Sequence, residues 1–101
     1  MRIIVVLNPT NKRGTKTEYT NFRKELVKNG FIQQIPDIYM RVCSSRKSCD
    51  KYIQKMYEKA PKTGKIIVLK LTEKQYKKRI YITGEPDKQE TLVGSNSVIM
   101  L

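Results

Sequence analysis

Histidine is absent from this chain of 101 residues, cysteine occurs twice, and nine acids stand against 21 lysines and arginines. A structural zinc site takes four Cys, His or carboxylate ligands at characteristic spacing. Cys43 and Cys49 form no CxxC and have no histidine to join them, so they read as packing or surface thiols. Aromatics make up only 8% of the residues, and Tyr19, Phe22, Tyr52 and Tyr57 fall at core spacing, which leaves little for a platform of stacked bases. Long apolar runs are missing too. The N-terminal run Ile3 to Leu7 is far shorter than a secretory core or a membrane span and leads into a turn, which predicts a cytoplasmic protein. No segment combines a basic face with a wide apolar one, which argues against a membrane anchor.

What the chain has is positive charge. A net charge of +12 on so small a body sets up a potential of several kT, and polyanions, nucleic acid first among them, are the natural partners. Apolar residues at 39% are enough for a folded core, and the length suits one domain over 1–101 with a polar segment from about 85 onward.

Arg2 to Leu7 is a β-branched run stopped by Asn8-Pro9, hence a strand. A polar, basic loop from Thr10 to Lys16 follows. Thr15 and Glu18 have capping-box spacing, and Tyr19, Phe22 and Leu26 then recur at helical intervals until Asn29-Gly30. Phe31 to Ile35 and Ile38 to Val42 read as extended on either side of Pro36-Asp37. Ser44-Ser45 predicts the cap of a second helix with an apolar stripe of Cys49, Tyr52, Ile53, Met56 and Tyr57. Lys65 to Leu71 is a further strand, Thr72 to Gln75 a second capping box opening one helical turn, and Ile80 to Thr83 a return to extended form.

The order strand, helix, strand, strand, helix, strand is the α+β, ferredoxin-like βαββαβ arrangement, an antiparallel sheet with two helices on one face. A sheet with one wet face should alternate apolar and polar residues, yet Ile3 to Leu7 and Ile66 to Leu69 are apolar on both faces. The second face therefore calls for a cover, and a second copy in a homodimer is the economical one. The apolar ending Val98-Ile99-Met100-Leu101 predicts a C-terminal strand that adds to a sheet edge, preferably the partner's.

Several segments resemble one family. MRIIVVLNPT is similar to a strand ending in an Asp-x-Pro turn, Tyr19 to Leu26 to a Tyr-x-x-Phe-Arg-Lys-x-Leu helix, and Asn29-Gly30-Phe31 to the turn after it. Pro61 to Gly64, Thr72 to Tyr76 and Ile80 to Glu85 complete the series. In order and spacing they resemble the CRISPR-associated protein two family, in the version found in type II systems. That resemblance implies a homodimer bridging two dimers of the spacer-acquisition integrase along the backbone of a double-stranded protospacer, with the C-terminal residues 98–101 docking the integrase.

Members of the family are also described as metal-dependent nucleases that hold a divalent cation, Mg²⁺, between aspartates at the end of strand one of each protomer. The matching residue here is Asn8. An amide offers an oxygen but no charge, and Mg²⁺ characteristically binds through carboxylates, phosphates and water. Asp37, where the family usually has a serine, is the one acid placed to substitute for the lost charge; as a turn residue after Pro36 it has a plainer reading.

Candidates for phosphate contact are Lys12, Arg13 and Lys16 in the first loop, Arg23, Lys24 and Lys28 on the first helix, and Lys77, Lys78 and Arg79 before the last extended segment. Three functions compete: a duplex DNA-binding scaffold of spacer acquisition that needs no cofactor, a Mg²⁺-dependent endonuclease acting on RNA or DNA, and an RNA-binding protein of ferredoxin-like fold. The last expects stacking aromatics that the sequence lacks.

Overall fold

The computed structural model describes residues 1–10 and 15–85. The chain divides into two compact units, Met1–Leu71 and Thr72–Leu101. In the first unit run β1 (Arg2–Asn8), α1 (Thr15–Lys28), β2 (Ile32–Ile35), β3 (Ile38–Val42), α2 (Arg46–Lys59) and β4 (Lys65–Leu71). The strands form one sheet in the order β2-β3-β1-β4, antiparallel throughout. This is the ferredoxin-like βαββαβ arrangement that the sequence predicts.

Alternation along β1 divides the sheet into two faces. Ile3, Val5 and Leu7 are buried against Tyr19, Phe22 and Leu26 of α1 and Cys49 and Met56 of α2, with Tyr39 of β3 completing the core. Register extends this face across Val5↔Tyr39, Val5↔Val68 and Leu7↔Ile66. The opposite face carries Ile4, Val6, Ile38, Met40, Val42, Ile67 and Leu69. Ile67 and Leu69 on edge strand β4 are 52% and 48% exposed, and Val42 is exposed as well. The apolar second face anticipated from the sequence is thus real; Ile67, Leu69 and Val42 face outward in a single copy, Ile4, Val6 and Ile38 are half-buried, and Met40 is buried.

The helix caps explain where the elements start. Ser45 accepts a hydrogen bond from the Ser48 amide at 3.1 Å, opening α2 as its serines predict. At the other helix the capping box is not formed as expected. Thr15 is itself the first helical residue and is buried, its hydroxyl 3.2 Å from Thr63 Oγ1 and 3.4 Å from Thr10 Oγ1. A side chain committed to tertiary partners is not available to the helix amides.

The second unit opens with α3 (Glu73–Lys77), whose capping box between Thr72 and Gln75 is complete in both directions. Ile80 to Thr83 departs from expectation: it is irregular, with bends at Ile82 and Thr83 and no strand, and Ile80 is 85% and Ile82 97% exposed. Extended residues become a strand only when a neighbour accepts their backbone hydrogen bonds, and among the described residues this segment has no such ladder. The predicted C-terminal strand at Val98 to Leu101 lies outside the described residues, as do Lys12 and Arg13.

Candidate functional site

The resemblance puts the candidate metal position at the C-terminal end of β1. Asn8 is the last residue of that strand, exposed, and opposite Lys65 of β4. Its parity with Ile4 and Val6 places its side chain on the face turned away from the helices. Gly64 fixes this strand end. With φ of +78° it adopts a left-handed backbone, and a Cβ there would come within 2.6 Å of the Asn8 carbonyl oxygen and 3.2 Å of Pro9 Cα while striking the Tyr19 hydroxyl. Tyr19, fully buried, donates its hydroxyl to the Thr63 carbonyl at 2.6 Å, tying α1 to the start of β4. Burial is also the main reason its phenol pKa is raised.

Asp37 approaches the same end of β1 through its backbone. It sits in the β2–β3 turn at φ of +69°, and its carbonyl accepts from the Leu7 amide at 2.8 Å. Its carboxylate, however, accepts a 2.6 Å charge-assisted hydrogen bond from Arg23 Nη2 on α1. Two residues singled out separately, one as a substitute metal ligand and one as a phosphate contact, therefore neutralise each other. Nothing in the sequence signals this pair, because the two are fourteen residues apart and meet only through the fold.

The donor set at this strand end suits Mg²⁺ poorly. Asn8 brings no charge, Asp37 is already paired, and no group of three or more His, Cys, Asp or Glu residues capable of holding a metal occurs among the described residues. Cys43 and Cys49 are both buried thiols, and Cys43 is pushed up to about 12 by burial and by its hydrogen bond with Cys49. A thiol so raised stays protonated at neutral pH, which suits a packing role.

The remaining phosphate candidates, Arg79 excepted, are exposed where described. Lys16, Lys24 and Lys28 stand on the solvent side of α1, and Lys77 and Lys78 are exposed in the second unit. Arg79 is half-buried, its guanidinium 3.9 Å from the centre of the Tyr76 ring. Outside those candidates α2 carries four more lysines, Lys47, Lys51, Lys55 and Lys59, all of them exposed. Their spacing of four residues was the signal that would have found them.

No family model matches the chain. Curated relatives do. The chain is 34% identical over 88 residues to the CRISPR-associated endoribonuclease Cas2 of Streptococcus mutans, covering 86% of this chain and 81% of that protein. It is 30% identical over 101 residues to the protein of the same name from Ligilactobacillus salivarius, covering 99% and 100%. It is 34% identical over 106 residues to that of Treponema denticola, covering both chains entirely. With the ferredoxin-like sheet and the matched strand end already in place, these likenesses are sufficient: the chain belongs to the CRISPR-associated endoribonuclease Cas2 family.

Proposed function

We propose that this chain works in CRISPR spacer acquisition as a homodimeric scaffold that holds double-stranded DNA by its backbone, alongside the integrase, and does not cut it. The observation that carries this reading is a strand end without a free carboxylate, with Asn8 in the metal position and the nearby Asp37 carboxylate bound to Arg23. Phosphodiester hydrolysis by a divalent metal needs the ion both to generate the nucleophile and to neutralise developing charge. A site without an anchoring carboxylate weakens the ion's hold on both tasks.

Charge and shape support the binding half of the proposal. A net charge of +12 favours phosphate neutralisation, which is independent of base sequence. Ile67, Leu69 and Val42, together with the half-buried Ile4 and Val6, make a broad apolar sheet face, and a second copy of the chain covers such a face economically. No helix among the described residues is long and apolar enough to cross a membrane, and the reading places the protein in the cytoplasm with the nucleic acid. The integrase partnership follows from the family resemblance.

The name endoribonuclease carried by the relatives favours a second reading, a Mg²⁺-dependent nuclease acting on RNA. That reading requires a charge at the strand end that Asn8 does not supply. Sedimentation of the purified chain with increasing duplex DNA tests the scaffold: two chains per duplex, with the DNA recovered at full length, is the expected result. A monomer on the DNA, or fragments in the boundary, would overturn it.

A further inference from the structure

The solvent face of α2 carries a feature that neither the strand end nor α1 accounts for. Lys47, Lys51, Lys55 and Lys59 follow one another at intervals of four residues, all exposed, with Arg46 ahead of them. At 1.5 Å per residue the row is about 18 Å long, with a cation about every 6 Å. The helix buries Cys49 and Met56 on its other side, and Lys55 holds its ammonium 5.6 Å from the Tyr52 ring centre, a weak contact for an exposed cation.

This arrangement works against the helix that bears it. Like charges four residues apart destabilise an isolated helix, and here three such pairs are stacked in succession. Arg46 and Lys47 also occupy the first turn, which holds no acid, at the positive end of the helix dipole, where acids are favoured. Only two acids lie on α2. Asp50 is 3.1 Å from Lys70 of β4 and so turned toward the sheet edge, leaving Glu58 as the one acid beside the row. Local choices that oppose the fold without a packing gain mark places where function set the sequence.

We infer that the α2 lysine row is a second nucleic-acid surface, distinct from α1, which follows the phosphate backbone of a duplex and reads no bases. It rests on the proposed duplex-binding role. One strand of a duplex presents a charge about every 3.4 Å of helix axis, so a gently winding row about 18 Å long passes about five phosphates, enough to partner each of the four lysines. Base stacking has little to use here: Tyr52 is half-buried with the Arg41 guanidinium 3.9 Å from its ring centre, and the exposed Tyr57 is a single ring where a platform needs several. A protein partner would ask for an apolar or aromatic centre depleted in lysine, the reverse of this surface. A membrane would ask for a wide apolar face directed outward, whereas Cys49, Met56, Tyr52 and Ile53 of the α2 stripe lie in or against the core; only Tyr57, expected in that stripe, stands exposed, at the end of the helix stripe where the core no longer covers it.

The test uses the full chain with all four lysines changed to glutamine, a labelled 30-base-pair duplex of arbitrary sequence, and anisotropy titrations across a salt series. The wild-type slope of log affinity against log salt should fall by about 3 in the variant, with affinity at 0.1 M salt reduced at least tenfold. An unchanged slope would refute the α2 surface while leaving the duplex reading intact; failure of the wild type itself to bind the duplex would remove both. Loss of binding to phosphatidylserine vesicles with duplex binding retained would assign the row to a membrane and overturn the inference. Lys47→Glu alone guards against a folding artefact. Its melting temperature should stay level or rise by about 2–4 °C as the helix end gains a favourable charge, while duplex binding weakens. A lower melting temperature would mean that Lys47 is structural and would contradict the argument.

Discussion

Replacing Gly64 by alanine probes the contact that holds the end of β1 in place. The residue has φ of +78°, and a Cβ would lie 2.6 Å from the Asn8 carbonyl oxygen and against the Tyr19 hydroxyl. Left-handed backbone costs an alanine roughly 1–2 kcal/mol. Displacing the fully buried Tyr19 hydroxyl from the Thr63 carbonyl, now 2.6 Å away, removes a hydrogen bond and strands a donor, about 1–2 kcal/mol more. The sum, about 2–4 kcal/mol, is a large part of the 5–15 kcal/mol that typically holds a domain together. Urea unfolding at fixed protein concentration should show the midpoint falling with the slope unchanged. The double variant with Tyr19→Phe supplies the sharper check. Because Gly64→Ala already breaks the Tyr19 contact, adding Tyr19→Phe should cost well under its effect alone, a coupling of about 1 kcal/mol. A loss below about 1 kcal/mol for Gly64→Ala, or full additivity, would refute the reasoning.

Other consequences can be measured directly. Changing Ile67 and Leu69 together to lysine should leave the chain folded, since both are about half exposed, but convert the proposed dimer to a monomer in sedimentation. Cys43 holds its proton to about 12, against an ordinary 9.0, through burial and the Cys49 hydrogen bond. The unfolded thiol therefore ionises first as pH rises, so the stability present below pH 9 is lost on the way to pH 12, by up to about 1.4 kcal/mol per pH unit. Cys43→Ala should remove that component, seen as a shallower fall in unfolding free energy between pH 9 and 10.5. Asn8→Asp places a carboxylate at the strand end and should produce a calorimetric signal for Mg²⁺ binding, against none expected for the unaltered chain.

Much of the architecture is legible in residue order because the patterns are local. The β-branched run at Ile3 to Leu7, the spacing of Tyr19, Phe22 and Leu26, and the Ser45 and Thr72 caps each declare their element within a few residues. Ile80 to Thr83 misleads because β character needs a neighbour, and sequence states the propensity without the partner. Thr15 misleads because the side chain expected at a cap instead meets Thr63, which is far along the chain. At the site, Asn8 could be placed from the resemblance alone. The pairing of Asp37 with Arg23 could not, since it depends on α1 passing over the β2–β3 turn.

The most direct test of the central claim is incubation of the natural chain and its Asn8→Asp variant with labelled duplex DNA and labelled RNA, with and without Mg²⁺, resolving bound and cleaved species on parallel native and denaturing gels. The account predicts that the natural chain retards the duplex and leaves both nucleic acids at full length in either condition. Mg²⁺-dependent fragments from the natural chain would contradict it and return attention to Asp37 as the source of the missing charge.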